Sequence, residues 1–235
     1  MARGKRAEAE RLQQILDLLK AGQPPVVPGL RHGDPWQLVV ATVLSAQCTD
    51  ARVNLVTPGL FDRYPTPADL ARAPVPEVEE EIRSIGLFRA KAKNLVALAK
   101  RVVEDHGGRV PGRREALEAL PGVGRKTASV VLAQGFAAPA FAVDTHVGRV
   151  GWRLGFAPTR EPRAVERGIT DLLDPSRWAE AHLLLIRHGR QICRARRPRC
   201  PDCPVRGLCP WPDKTVPTPE PRGSRRRRAD GGRPP

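Results

Sequence analysis

The sequence of 235 residues predicts an all-α protein, and three observations support that fold class. Apolar residues recur three and four positions apart along most of the chain, which is the spacing of one helix face. No segment shows the sustained alternation of apolar and polar residues that is typical of a half-buried strand. Hydrophobic residues make up 40% of the chain, which is enough for a packed core and too much for a disordered protein.

The individual helices are predicted from this periodicity and from local start and stop signals. Residues 12–19 predict the first helix, which ends before a segment rich in glycine and proline. Asp34 and Pro35 form an N-cap followed by proline at the first helical position, and they predict the start of the second helix. From this second helix onward, the predicted helices cover residues 36–47, 51–61, 78–84, 89–106, 113–119, 125–134, 146–154, 161–173 and 178–188.

The helical periodicity ends near Gln191. From there to Trp211 the chain is dominated by cysteine, proline and arginine, which indicates a loop with a specialised role. The segment 213–235 is rich in proline, glycine and arginine and cannot bury a core, so we expect a disordered basic tail.

The charge balance narrows the classes of partner. The chain has 40 Lys and Arg against 25 Asp and Glu, a formal net charge of +15, which favours a polyanion such as nucleic acid. The longest apolar run, residues 38–44, is far shorter than the roughly 18 residues that span a bilayer. Charged residues near the N-terminus also exclude a secretory signal. We therefore expect a cytoplasmic protein that does not bind membranes.

Four of the five cysteines are grouped in the C-terminal loop. They follow the spacing C-x6-C-x2-C-x5-C, and a reducing compartment favours a metal site over disulfides. Zinc modules usually contain two C-x2-C pairs, and the ferredoxin spacing is shorter, so neither pattern fits. Cys48 stands apart, and we interpret it as a small hydrophobic residue with no chemical role. The four grouped residues are Cys193, Cys200, Cys203 and Cys209.

A turn of sequence LPGVG separates two predicted helices and resembles the helix-hairpin-helix DNA-binding motif. Gly122 and Gly124 allow a close approach to a ligand, and the unpaired amides of the next helix favour phosphate. A nucleotide-binding P-loop would need glycine directly before Lys-Thr, where Arg125 stands instead. By itself this turn could also be a plain connection between helices.

A second motif decides between these interpretations. The hairpin leads into Lys126, and eighteen residues later Asp144 stands in the sequence AVDTHVGRV. GVGRK followed by VDTH resembles the endonuclease III family of DNA glycosylases. The resemblance extends to LSAQCTD at residues 44–50, SIGL at residues 84–87 and the spacing of the four cysteines. It covers nearly the whole chain that is predicted to fold.

The resemblance implies a catalytic role for two residues. Lys126 would attack C1′ of the deoxyribose, displace the damaged base and form a Schiff base, after which β-elimination nicks the strand. Asp144 would stabilise the positive charge that develops on the sugar and assist proton transfer. Each residue also has a simpler interpretation, because Lys126 could contact phosphate and Asp144 could be an ordinary N-cap. We expect a bifunctional DNA glycosylase and AP lyase that acts on oxidised pyrimidines.

The resemblance also implies contacts with DNA. Gln47 would fill the gap left by the extruded base, and Leu87 would insert into the opposite strand. Leu87 could alternatively be an ordinary core leucine. The remaining predicted DNA contacts are Gly122, Gly124 and Arg125 at the hairpin, and Arg196 and Arg197 in the cysteine loop.

The implied fold has two helical domains with a DNA-binding cleft between them. Residues 31–138 would form the domain that contains the hairpin, and residues 1–30 with 139–212 a discontinuous domain. The cysteine loop of that second domain would hold a [4Fe–4S] cluster with a structural role. The partner would be double-stranded DNA containing damaged bases, bound by a monomer associated with the nucleoid of a bacterium.

Two alternatives stay open. A glycosylase of the same fold could remove another lesion, such as a mismatched thymine or an oxidised purine. A non-catalytic DNA-binding protein could use the same hairpin and cluster, although binding alone requires neither Lys126 nor Asp144.

Overall fold

The computed structural model describes residues 2–216 except Gly22 and Val26, and all regular secondary structure within this part is helical. The all-α prediction is therefore confirmed. Three short 3₁₀ helices cover Pro175–Arg177, Cys200–Asp202 and Arg206–Leu208. The α-helices are α1 (Ala2–Lys20), α2 (Pro35–Leu44), α3 (Asp50–Arg63), α4 (Pro67–Arg72), α5 (Val75–Glu81), α6 (Phe88–His106), α7 (Arg114–Glu118), α8 (Arg125–Gly135), α9 (Thr145–Arg153), α10 (Pro162–Thr170) and α11 (Trp178–Gln191).

Helix α2 begins where the sequence predicts and ends three residues earlier. Asp34 accepts a hydrogen bond from the backbone N–H of Gln37 at 2.8 Å, which is the predicted N-cap. The predicted C-terminal residue, Gln47, instead has a φ of 55°. A left-handed residue cannot continue a right-handed helix, so α2 cannot include Gln47, and it ends at Leu44 with Ser45 as its C-cap.

Helix α4 is absent from the prediction. It has only six residues and buries a single apolar side chain, Leu70, so it shows no apolar periodicity. Its start is nevertheless encoded locally, because Thr66 and Asp69 form a capping box and proline occupies the first helical position. Helix α5 begins three residues before the predicted range of 78–84.

The buried apolar residues form two separate cores. The first lies among α2 to α8 and includes Leu38, Leu98 and Val131. The second joins α1 to α9, α10 and α11, so the N-terminal helix packs with the C-terminal part of the chain. Consecutive residues at 140–143 alternate between the two cores, which marks where the chain passes from one to the other. The exact domain boundaries at residues 31 and 139 stay a prediction.

The end of the described chain is packed against the cysteine loop. The Thr215 hydroxyl donates to the carbonyl oxygen of Pro198 at 2.6 Å and accepts from the amide of Cys200 at 3.2 Å. The folded part therefore extends beyond residue 212, into the segment predicted as a tail. Residues 217–235 of that predicted tail lie outside the described residues. Within the described residues no helix is long and apolar enough to cross a bilayer.

Candidate active site

The predicted hairpin is formed by α7, the turn at residues 119–124, and α8. Gly122 has a φ of 78°, and a Cβ there would lie 3.3 Å from that of Asn94, so the turn requires glycine. Gly124 is the N-cap of α8, and a Cβ at this position would have no atom within 4 Å. No side chain caps α8, which leaves its first amides available to an anion such as phosphate. Lys126 is the second residue of this helix and is exposed.

Asp144 is the N-cap of α9. Its Oδ1 accepts hydrogen bonds from the backbone N–H groups of His146 at 2.9 Å and Val147 at 2.8 Å. Its Oδ2 has no hydrogen-bond partner in the described part of the chain. The capping interpretation is correct, and it is compatible with catalysis because one oxygen anchors the carboxylate while the other stays free.

Lys126 and Asp144 lie together in the cleft between the two cores. Both residues line the same two adjoining cavities, together with Ser45, Asp50 and Arg190. One cavity continues between α8 and α11, and the other opens towards Gln47 and the first turn of α9. The cleft is therefore lined from both cores, with an amine on one wall and a carboxylate on the other.

Arg125, which precedes the lysine, pairs with a carboxylate on the other side of the cleft. Its Nε lies 2.8 Å from one Glu166 oxygen, and a second nitrogen lies 3.1 Å from the other oxygen. Glu166 belongs to α10, so this bidentate pair connects the two cores beside the lysine helix. The predicted phosphate contact of Arg125 would have to share the guanidinium with Glu166, and it stays a prediction.

The two predicted DNA-inserting residues lie at the tips of neighbouring loops. Gln47 and Leu87 are both exposed and both left-handed, with φ of 55° and 60°. Leu87 is 61% exposed, so it is not a core leucine. A Cβ added to Gly86 would lie 3.7 Å from the carbonyl oxygen of Gln47, which places the loops in contact range of each other.

The structure adds cleft residues that the sequence did not reveal. His182 on α11 is buried beside Lys126 and Asp144, and its Nδ1 lies 2.7 Å from the carbonyl oxygen of Ala142. Burial lowers the pKa of His182, while the charge of Asp144 opposes that shift. No sequence motif marks this histidine.

A buried arginine supports the same wall. Arg149 donates to the carbonyl oxygens of Cys193 and Gly189, both at 2.9 Å, and to Nδ1 of His146 at 3.1 Å. This arrangement links the start of α9 to the cysteine loop and gives His146 a hydrogen bond at the edge of the site. The role of Arg149 depends on contacts with residues 40 and 44 positions away, so the apolar periodicity of the sequence could not indicate it.

The four grouped cysteines line one cavity beside the second core, and none of them is in a disulfide. Burial raises the pKa of the Cys203 thiol to about 11. Nε2 of His188 lies 3.7 Å from Sγ of Cys203, and a guanidinium nitrogen of Arg153 donates to Sγ of Cys193 at 3.4 Å. Nε of Arg153 is buried without a partner in the described residues, so the cavity wall presents an unused donor. Cys48 lies outside this cavity.

Comparison with known proteins places this arrangement in a family. The family described as "HhH-GPD superfamily base excision DNA repair protein" matches residues 40–175. Endonuclease III of Bacillus subtilis is 49% identical over 181 residues, which are 77% of this chain and 83% of that protein. Endonuclease III of Escherichia coli strain K12 is 42% identical over 207 residues, covering 88% and 98%. The chain belongs to the endonuclease III family.

Solved structures agree with this assignment. A trapped endonuclease III–DNA covalent intermediate has 43% identity and a TM-score of 0.80, covering 86% of this chain and 95% of that one. A thermostable thymine-DNA glycosylase has 27% identity and a TM-score of 0.77, covering 89% and 97%. As a member of the endonuclease III family, the protein is a bifunctional DNA glycosylase and AP lyase of base excision repair.

Proposed function

We propose that this endonuclease III homologue removes oxidised pyrimidines from double-stranded DNA, with Lys126 as nucleophile and Asp144 as the assisting carboxylate. The observation that carries this proposal is the pairing of an exposed amine and a half-free carboxylate in one cleft. A protein that only binds DNA would need neither group at that place.

The reaction begins once the damaged nucleotide has left the duplex. The neutral Nζ of Lys126 attacks C1′, and the bond between C1′ and the base breaks with its electron pair going to the base, which is then protonated. The nitrogen loses a proton, and the C1′–O4′ bond breaks with its electron pair going to O4′, which is protonated, so that the ring opens and a Schiff base forms between C1′ and the nitrogen. Loss of a C2′ proton then expels the 3′ phosphate and nicks the strand. Asp144 would stabilise the positive charge on the sugar and relay protons through Oδ2, the oxygen that does not cap α9.

The lesion class is the finer part of this proposal. An oxidised pyrimidine is favoured by 42–49% identity to proteins named endonuclease III. A mismatched thymine is the second candidate, because a thymine-DNA glycosylase of 27% identity shares the fold over 89% of this chain. The two substrates differ in the base that enters the cleft and not in the attack on the sugar.

We further propose that the four cysteines hold a [4Fe–4S] cluster. All four line one cavity. Their sequence spacing, C-x6-C-x2-C-x5-C, contains only one C-x2-C pair and resembles the cluster loop of the family, which favours a four-iron cluster over one zinc ion. The cluster would supply a rigid covalent anchor for the loop, and Arg153 and His188 would donate to its sulfurs.

The cysteine loop would then present two arginines to DNA. Arg196 and Arg197 are exposed and form no hydrogen bond or ion pair with any described residue. Arg199 of the same loop is instead paired with Asp202 at 2.8 Å. Phosphate contacts are therefore proposed for the first two only. The two cores would correspond to two domains, one of residues 31–138 and one of residues 1–30 together with 139–212. The protein would act as a monomer on DNA at the nucleoid, in the bacterial cytoplasm.

A panel of duplexes tests the function. Single-turnover excision and nicking are measured on DNA containing thymine glycol, 8-oxoguanine, a G·T mismatch or an abasic site. The proposal predicts the fastest excision at thymine glycol and nicking at the abasic site. Fastest excision at G·T would select the second candidate, and binding without any nicking would exclude catalysis.

Metal analysis of the purified protein tests the cluster. About four irons per chain are expected, whereas one zinc per chain would overturn the cluster.

A further inference from the structure

Lys91 is a buried lysine that has no part in the roles described above. It lies on α6 and is only 5% exposed, and no carboxylate in the described part of the chain pairs with it. Its Nζ donates to the carbonyl oxygens of Leu44 at 2.8 Å and Ala46 at 2.6 Å. Burial lowers the pKa of Lys91, because removal from water disfavours the charged form of the ammonium group. Burying a cation without an opposite charge costs free energy, so we expect Lys91 to have a specific role at this position.

The two carbonyls belong to the segment that carries Gln47. Leu44 is the last residue of α2, where carbonyl oxygens lack helical partners and the helix dipole favours a cation. Ala46 directly precedes Gln47, whose φ is 55°. The ammonium group of Lys91 therefore holds the chain on both sides of the point where it turns out of α2 towards the exposed glutamine.

The backbone of Lys91 is bonded to the second loop. Its amide donates to the carbonyl oxygen of Leu87 at 3.1 Å, in the first turn of α6. Leu87 is left-handed, and its position as N-cap of α6 is stabilised by no side-chain hydrogen bond. Left-handed conformations are unfavourable for residues other than glycine, so both loops require support from neighbouring structure. Lys91 is hydrogen-bonded to both loops, through its ammonium group to the segment before Gln47 and through its backbone amide to Leu87.

We propose that Lys91 is a positioning residue for base extrusion, which joins the loops of Gln47 and Leu87 in the geometry that enters the duplex. This inference rests on the proposed function of those two tips. Lys91 does not contact DNA, and it acts by holding the two loops at a fixed separation. Its removal slows the extrusion of a stacked base more than it slows chemistry on a sugar that has already lost its base.

The test uses four variants of the full chain. Lys91→Met removes the ammonium group and keeps an unbranched side chain, and Lys91→Gln keeps one donor group. Lys100→Met makes the same change at an exposed position of α6. Leu98→Ala removes a fully buried side chain from α6 about two turns beyond Lys91, so it controls for lost stability.

Two single-turnover rates are compared for each variant, below its unfolding temperature: excision of thymine glycol and nicking at a preformed abasic site. Fluorescence of 2-aminopurine beside the lesion reports unstacking of the duplex. For Lys91→Met we expect excision and unstacking to slow by roughly tenfold, the effect of losing a charged hydrogen bond, while abasic nicking stays within about threefold. The excision rate of Lys91→Gln falls between those of Lys91→Met and the unsubstituted chain. Lys100→Met and Leu98→Ala keep the excision and nicking rates of the unsubstituted chain.

Several outcomes would overturn this inference: unchanged excision in Lys91→Met, equal loss of both rates, or the same selective loss in Leu98→Ala. If Lys91→Met does not fold, Lys91→Gln is judged by the same comparison of the two rates. A failure of the proposed function is distinguishable in the unsubstituted chain, which would then not excise thymine glycol, whereas a failure of this inference leaves that excision intact.

Discussion

Helices α8 and α9 begin on opposite walls of the same cleft, but their first turns are completed in different ways. Helix α8 starts at Gly124 with no side-chain cap, so its first amides are available to an external anion. Helix α9 starts at Asp144, whose Oδ1 occupies two of its amides. The open start suits a phosphate that must bind and leave. The closed start suits a carboxylate that must stay fixed while charge develops on the sugar.

The uncapped start of α8 and the capped start of α9 make different contributions to catalysis and to stability. Removing the exposed Lys126 side chain removes the proposed nucleophile and leaves the start of α8 unchanged. Removing the Asp144 carboxylate removes both the proposed assisting oxygen and the cap of α9. Substitution of Lys126 should therefore change activity alone, whereas removal of the Asp144 carboxylate should change both activity and stability.

The largest effect is expected for Lys126→Ala. Loss of the nucleophile should lower single-turnover excision and nicking by roughly a thousandfold or more, with no loss of helical content. Lys126→Arg is the matched control, since it keeps the positive charge but cannot form the Schiff base. Both variants should still bind a lesion duplex in a gel-shift assay. Residual excision above one per cent in either variant would assign the attack to another group.

The next effect is expected for Asp144→Asn. Asparagine caps a helix about as well as aspartate, so the free energy of unfolding should change by less than about 0.5 kcal/mol. Excision should nevertheless fall by roughly a hundredfold, because the negative charge is lost.

Asp144→Ala supplies the comparison for that prediction. It should lose the same activity and also about 1 kcal/mol of stability, measured by urea unfolding. Full activity in Asp144→Asn would reduce the residue to a cap.

The resemblance to a known family predicted that Lys126 and Asp144 lie on opposite walls of one cleft, and local turn and cap signals predicted the helix starts that carry them. Gly122, Gly124 and the N-cap at Asp144 follow from local backbone rules, and the structure confirms those rules. The four cysteines were predictable as a group from their spacing alone.

Contacts between distant parts of the chain were not predictable. The early end of α2 is accompanied by a lysine 47 residues away that binds the carbonyl oxygen of Leu44. Glu166 lies 41 residues from the arginine that it pairs with, and His182 reaches the cleft only because α11 packs on α9. Periodicity reports which face of a helix is buried, and it does not report what that face meets.

A smaller effect is expected when the open helix start is closed. Gly124→Asp places a capping carboxylate at α8 without a steric clash, since a Cβ there has open space. Stability should rise by a few tenths of a kcal/mol, while repulsion of phosphate should weaken binding to undamaged duplex several-fold at low salt.

Gly124→Ser is the neutral control for that substitution. It also caps the helix but should weaken binding less than the aspartate does, as measured by fluorescence anisotropy across a salt series. Equal affinities for the two variants would mean that no phosphate approaches this turn.

The smallest effect is expected for Glu166→Gln. The pair with Arg125 is partly exposed, so its loss should change the unfolding free energy by at most about 1 kcal/mol. The freed guanidinium should bind phosphate more readily and steepen the dependence of affinity on salt. Arg125→Gln should flatten that dependence instead. Identical salt slopes for the two variants would show that Arg125 serves only to connect the two cores.

The central claim is that the amine on the open wall attacks the sugar, and peptide mapping of the reduced adduct tests it most directly. The protein is incubated with a thymine glycol duplex and borohydride, digested, and the DNA-bearing peptide is sequenced by mass spectrometry. The account predicts one modified residue, Lys126, and no adduct in Lys126→Ala. An adduct on any other lysine or on the N-terminal amine, or undiminished trapping in Lys126→Ala, would contradict it.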